Sequence, residues 1–475
     1  MPRVLGPWLA MAIVVGCVIG TGVFKKAHAI SKDVPESGVA ISVWVVVGLL
    51  TLCGAMALAE VAALFPKAGG NYIFLREAYG RLFGFLWGWV EFWFLRVASC
   101  AALAAVFAES FHNVLQLAMT TKEEVLGFWP RQTVSAGVVV ILGLLAARGT
   151  RLGAGVSFAV TCVKIGSLLA LMLLPLVIIA FVSNPPTMPG WSNFQPVWPE
   201  SFASFNLQAF VVAMVAVMWP YNGWSNVASI AGEVRDPQRN VPIAFVGGLL
   251  VLIAVYSSVN LSYFSVVPSR DMKTLTDIPV AAEVARRLLG PAGLLLASAA
   301  IMFSTFGALC GNMLVGPRGI FALSRDGMAP AALGRVHARY ETPCNATMLL
   351  TFVTAGFIFA VAGYARLGQA ADHNKPPFDV ITDFIVFGGA VFETLAVASI
   401  FIFRRRHRSE IARLPYRCPF YPFVPALFVV CMVGVMINMF IVPGQRNEAL
   451  IGLGFIATGA VVYAVAFGGR RGVAT

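Results

Sequence analysis

"VVGCVIGTGVF" (residues 14–24) lies in the first apolar run of the chain and is poorly made for a helix. Gly16, Gly20 and Gly22 fall within seven residues, and each glycine costs about 1 kcal/mol of helix propensity relative to alanine. Two readings stand. Gly16 and Gly20 have the GxxxG spacing of a close-packing helix face. Alternatively the helix is interrupted at membrane depth, which is tolerated only where backbone is buried in protein or lines a cavity.

Composition supplies the membrane. The 475 residues are 59% hydrophobic and 12% charged, with mean hydropathy +0.81, whereas soluble domains carry about 25% charged residues. Apolar stretches of spanning length occur at approximately 7–30, 38–65, 81–115, 132–147, 153–182, 203–232, 241–267, 291–322, 344–363, 380–403, 420–441 and 449–468. These twelve spans predict an all-α integral membrane protein with both termini on one side. Connections such as "SNPPTMPGWSNFQPVWPE" (183–200) are short and rich in Pro and Gly. Residues 1–475 therefore read as a single membrane domain.

Most of the 34 Lys and Arg fall on the side of the termini, which predicts cytoplasmic termini in a cell (inner) membrane. Lys25, Lys26 and Lys32 fall in an outer loop on this reading. The same distribution accounts for the net charge of +12 without nucleic acid, and "FRRRHR" (403–408) reads as a stop signal facing anionic lipid. Arg3, the first apolar run and "AHA" (27–29) imitate a signal peptide. Lys25 and Lys26 precede the supposed cleavage site, so the segment reads as a retained span.

The eight cysteines show no CxxC pairing, which suggests neither a disulfide framework nor a metal site. The five histidines are scattered. No nucleophile with a matched base is apparent, so the chain is not read as an enzyme, and no cofactor is expected. A membrane-embedded enzyme and a nontransporting nutrient receptor are kept as readings of another class.

Span six carries a second interruption, "MWPYNGWSN" (218–226), where Pro220 cannot donate a helical hydrogen bond and Gly223 adds flexibility. Broken helices at equivalent places in two five-span halves point to a transporter built from inverted repeats. That pairing favours interruption over packing for the opening stretch.

The same stretches carry a resemblance. "GCVIGTGVF" (16–24) resembles the glycine-rich first helix of the amino acid, polyamine and organocation transporter superfamily, and the chain from about 6 to 440 resembles its L-type amino acid transporter branch. "AEVAALFPKAGGNYIFLREAYG" (59–80), "VKIG" (163–166), "WPYNGWSNVASIAGEVRDPQRNVPIA" (219–244) and "STFGALCGNMLVGPRGIFALSRDGMAP" (304–330) carry it further. The resemblance implies a LeuT-like fold of five plus five inverted spans with discontinuous helices 1 and 6. The repeats would cover about 7–182 and 203–403, with peripheral helices at about 420–468. It also implies sodium-independent exchange of amino acids by alternating access. A proton-coupled amino acid or polyamine importer is the nearest alternative.

A bound amino acid brings a carboxylate and an ammonium out of water together. Amides freed at a half-helix N-terminus suit the carboxylate, here those of Thr21, Gly22 and Val23 with the Thr21 hydroxyl. Freed carbonyls of Val18, Ile19, Trp219, Pro220 and Asn222 suit the ammonium. Trp219 stands at the family's aromatic gate. Asn222 cannot neutralise a second positive charge, which favours neutral substrates, while Ser225 in place of the branch's common Asn leaves side-chain size open. Lys164 is a charge at membrane depth and functional by default. The resemblance places it where sodium-coupled relatives hold a metal ion, linking the first helix to Ser304 and Thr305 of span eight. Asn312 is placed along the pocket. Glu91, Arg96 and Glu393 are expected to pair with one another or with helix ends. Arg235, Asp236, Arg239, Arg318, Arg325 and Asp326 form an expected inner-gate network. The loop at 116–131 lacks the cysteine by which animal relatives join a heavy chain, so no disulfide-linked partner is expected.

Overall fold

A computed structural model of the chain describes residues 6–66, 69–119, 124–148, 150–183, 186–275, 278–367 and 377–467. Every regular element among them is helical. The first apolar run gives three pieces, α1 (Pro7–Val18), α2 (Gly22–Lys25) and α3 (Ala27–Asp33). Then follow α4 (Ser37–Leu64), the short α5 (Asn71–Tyr79) and α6 (Arg81–Val90), which runs through a π-turn at Glu91–Arg96 into α7 (Val97–Ala118). Next come α8 (Phe128–Arg148), α9 (Thr150–Phe181), α10 (Leu207–Tyr221) and α11 (Pro237–Val266). After α12 (Ser269–Met272) the chain forms α13 (Val280–Val315), α14 (Pro317–Arg325), α15 (Cys344–Leu367), α16 (Pro377–Arg406), α17 (Arg408–Ile411), α18 (Phe423–Ile441) and α19 (Pro443–Phe467).

Among the described residues, ten helices are long and apolar enough to cross a membrane. The two remaining apolar runs, around residues 7–30 and 203–232, are the ones carrying the breaks. Proline and glycine set many of the boundaries. Pro7, Pro237 and Pro317 open their helices at the position where a missing N–H costs nothing. The Asn206 side chain caps α10 by accepting from the Ala209 amide at 3.0 Å.

Two glycines mark similar corners. Gly80 (φ 99°) turns α5 into α6, and Gly290 (φ 68°), followed by Pro291, bends α13. In both places a short helix runs straight into a span through a left-handed residue that glycine alone adopts cheaply. The core packs α4 against α11, α7 and α9 against α13, and α8 against α15. α1 lies along α11, and α16, α18 and α19 group together.

Several charges sit differently from their sequence reading. Lys25 and Lys26 are buried rather than in an outer loop, and the Lys25 ammonium pairs with Glu109 of α7 at 2.7 Å. They belong to the half-helix that follows the break, so the chain carries them into the protein. Arg404 of "FRRRHR" also faces inward. Its guanidinium meets both carboxylate oxygens of buried Glu60 at 2.8 and 2.6 Å and lies 3.9 Å from the centre of the Tyr421 ring. A desolvated carboxylate at the end of α4 demands such a partner, so this arginine is not available to lipid.

Candidate functional site

The first break covers residues 19–21. α1 stops at Val18, Ile19 is extended (φ −65°, ψ 102°), and helix resumes at Gly22. The amides of Thr21, Gly22 and Val23 donate to no partner among the described residues. Such donors carry the positive end of the half-helix. Gly20 has open space around the position of a Cβ, its nearest neighbour being Val18 O at 3.8 Å. At Gly22 a Cβ would lie 2.6 Å from Pro220 Cγ and 2.8 Å from its Cα. Close packing thus explains Gly22 and not Gly20.

The second break follows α10. Pro220 sits in its last turn, Asn222 is extended (φ −58°, ψ 145°), Gly223 is left-handed at φ 91°, and a 3-10 stretch runs over Trp224–Glu233. The two breaks face each other. The Trp219 indole Nε1 donates to Thr21 Oγ1 at 3.4 Å. The hydroxyl of fully buried Tyr256, on α11, donates to Pro220 O at 2.9 Å and lies 3.4 Å from Val18 O. One side chain therefore pins the ends of both broken helices, a role nothing local in the sequence announces.

Lys164 is 2% exposed. Its ammonium donates to Ile19 O at 2.5 Å and Gly16 O at 3.0 Å, at the end of α1. The expected contacts with Ser304 and Thr305 of α13 are not among these bonds. Thr305 donates to Met302 O in its own helix at 2.9 Å, and Ser304 Oγ has no hydrogen-bond partner. The Ile19 carbonyl, read as a contact for the substrate ammonium, already holds a cation, and a second one there would be repelled.

Between the breaks lies a cavity of about 550 Å³ lined by Val18, Thr21, Gly22, Lys164, Trp219, Pro220, Asn222 and Asn312. Its far wall carries Glu91, Arg96 and Glu393. Residues five apart diverge by about 140° around an α-helix of 3.6 residues per turn. The π-turn spanning Glu91–Arg96 brings these two onto one side, where they form an ion pair. Such bulges gather at functional sites. Arg96 also donates to Asn312 Oδ1 at 2.6 Å. Glu393 pairs with neither. It accepts from Trp224 Nε1 at 3.1 Å and from Ser225 Oγ at 3.5 Å.

A second cavity of about 510 Å³ shares Trp87, Glu91, Arg96, Ser225 and Asn226 with the first and leads on to Arg76, Arg318, Arg325 and Asp326. Asp326 accepts from the Tyr72 hydroxyl and from Arg76 Nη1, the latter at 2.7 Å. Burial and the adjacent carboxylate push the Tyr72 hydroxyl well above its ordinary pKa, so it remains a donor. Of the expected inner-gate charges, Asp326 thus binds α5, and Arg325 lies over the Phe321 ring at 5.4 Å. Arg235 and Asp236 precede α11 and Arg239 lies in its first turn, and none of the three lines the second cavity.

Fold and cavity define a multi-pass membrane protein with a cavity between two interrupted helices, mostly apolar in its lining and carrying a few polar and charged groups. The family model described as "Amino acid permease" matches residues 5–467, and the chain belongs to that family within the amino acid, polyamine and organocation superfamily. It is 29% identical to the serine/threonine exchanger SteT of Bacillus subtilis (strain 168), over 90% of this chain and 89% of the relative. It is 25% identical to the human b(0,+)-type amino acid transporter 1, over 98% of this chain and 88% of that one. The human cystine/glutamate transporter is 24% identical over 94% and 81%. The chain is an amino acid transporter and not an enzyme.

Proposed function

We propose that this protein exchanges neutral L-amino acids across the cell membrane by alternating access, without sodium and without a disulfide-linked heavy chain. The observation that carries the reading is the pair of opposed breaks. Unbonded amides at Thr21 and Gly22 lie on a cavity whose other edge is formed by Trp219, Pro220 and Asn222, and the Val23 amide beside them is also unbonded.

The substrate carboxylate binds those amides and the Thr21 hydroxyl. Its ammonium binds the carbonyl oxygens of Val18, Trp219, Pro220 and Asn222, since the Ile19 oxygen holds Lys164. A carbonyl has two lone pairs, so Val18 and Pro220 retain capacity beside Tyr256. Trp219 covers the substrate, Asn312 lines its pocket, and Lys164 supplies a fixed cation at the first break in place of a metal ion. The exchanger reading is further supported by the relative named a serine/threonine exchanger.

Twelve spans in a LeuT-like five-plus-five arrangement, with cytoplasmic termini, fit the similar corners at Gly80 and Gly290. With that orientation the second cavity opens toward the cytoplasm and the Lys25–Glu109 end faces out.

Counterflow in proteoliposomes with a panel of labelled amino acids tests the proposal. Neutral amino acids should exchange with no sodium and no pH gradient, and uptake only under a pH gradient would support the proton-coupled importer instead. Asn222→Asp should improve cationic substrates relative to neutral ones. An unchanged preference would overturn the role of Asn222.

A further inference from the structure

α5 is nine residues long, and its side chains touch three separate parts of the protein. At its start, Asn71 Nδ2 donates to Ser225 Oγ at 3.2 Å. Ser225 is two residues beyond the left-handed Gly223 and donates in turn toward Glu393, so Asn71 is tied through the Ser225 side chain to the segment that follows the break and lines the cavity. The next residue, Tyr72, and Arg76 one turn later both bind Asp326 beyond the end of α14. At the far end, the Tyr79 hydroxyl donates to Leu395 O at 2.9 Å, and Arg406 Nη1 reaches the Glu77 and Ala78 carbonyls at 3.2 and 3.3 Å. The C-terminal end of α5 is therefore anchored to α16, while its N-terminal end joins the α10 break to the Asp326 clasp.

Asn71 is 4% exposed, and its Oδ1 has no hydrogen-bond partner. A buried amide oxygen left unbonded is costly. In a transporter that alternates between states, such an atom suits a residue whose partners change. The polar side chains of Tyr72, Arg76 and Tyr79 are all bonded, so a shift of Ser225 at the break has a short path along one helix to Tyr72 and Arg76.

We propose that Asn71 is a positioning residue that couples the α10 break, through Ser225, to the gate formed by Tyr72 and Arg76 on Asp326. It contacts no substrate. Its loss slows the conformational step and leaves amino acid binding intact. The inference rests on the transport reading above, and one of its readouts is independent of transport.

The test is Asn71→Ala, Asp326→Asn and the double variant, each assayed for exchange rate and for equilibrium binding of the best substrate. Asn71→Ala should cut the exchange rate about tenfold while affinity stays within about twofold, as expected for a gating residue. The double variant should be no slower than the slower single variant, because both substitutions break one path. Affinity falling in step with rate, or rate losses that multiply, would overturn the proposal. Hydrogen exchange of amides 71–79 gives the second readout, and Ser225→Ala should deprotect them as Asn71→Ala does. Unchanged protection in Ser225→Ala would overturn the coupling. Wild type that binds and exchanges no amino acid would overturn the transport reading alone.

Discussion

The two helix breaks reach the same cavity by different means. The second is written into its own strand of sequence: Pro220 lacks a donor, and Gly223 takes a left-handed φ of 91° that ends the helix where it stands. The first contains no left-handed residue. Its glycines weaken the helix, and distant groups then hold it open, with Lys164 on the carbonyls of Gly16 and Ile19 and Pro220 pressed against Gly22. A locally encoded break depends on its own residues. One held from outside depends on the whole fold, which makes it the better candidate for the part that changes shape during transport.

Substitutions separate the two. The largest effect is expected for Gly22→Val. Its new Cβ would lie 2.6 to 2.9 Å from three Pro220 atoms, and displacing the breaks by about 1 Å should cost on the order of 100-fold in exchange. Lys164→Ala comes next. It strips two buried carbonyls of their donor at about 1–3 kcal/mol each, and with about half of that total falling on the transport barrier exchange should slow by roughly 10- to 100-fold. A near-normal counterflow rate in that variant would mean that the first break, like the second, needs no outside support.

Gly223→Ala probes the local case. Forcing a Cβ into the left-handed region costs roughly 1–2 kcal/mol, so a thermal shift of a few degrees and a severalfold slower exchange are expected. Tyr256→Phe is the mildest. It removes one hydroxyl shared between Val18 and Pro220 at about 1 kcal/mol, which predicts a loss of about fivefold in rate. Because Tyr256 touches both breaks, its effect should be less than additive with that of Lys164→Ala. Strict additivity of the measured rates would show that the two breaks are held independently.

What the sequence made legible follows the same division. Glycines and a proline inside apolar runs flagged both breaks, and a lysine at membrane depth flagged Lys164, because each violates a local rule in a costly place. The Tyr256 bridge, the Glu60–Arg404 pair and the Asn71 contact violate nothing locally. Arg404 meets a partner 344 residues away, and no periodicity encodes that distance. The pairing of Glu91 with Arg96 was expected in kind, but the π-turn that aligns them and the cavity they line were not, since five-residue spacing puts them on diverging helix faces. Lys25 and Lys26 were misplaced because their charge suggested a loop, whereas the break turns the following half-helix inward.

The central claim is that the amides freed at the first break hold the substrate carboxylate. It is tested most directly by determining the structure with a neutral amino acid bound. The carboxylate should lie within hydrogen-bond distance of the Thr21, Gly22 and Val23 amides, with the ammonium toward the carbonyls of Trp219, Pro220 and Asn222. An amino acid found with its carboxylate on Arg96 or Lys164 and those three amides unoccupied would contradict it.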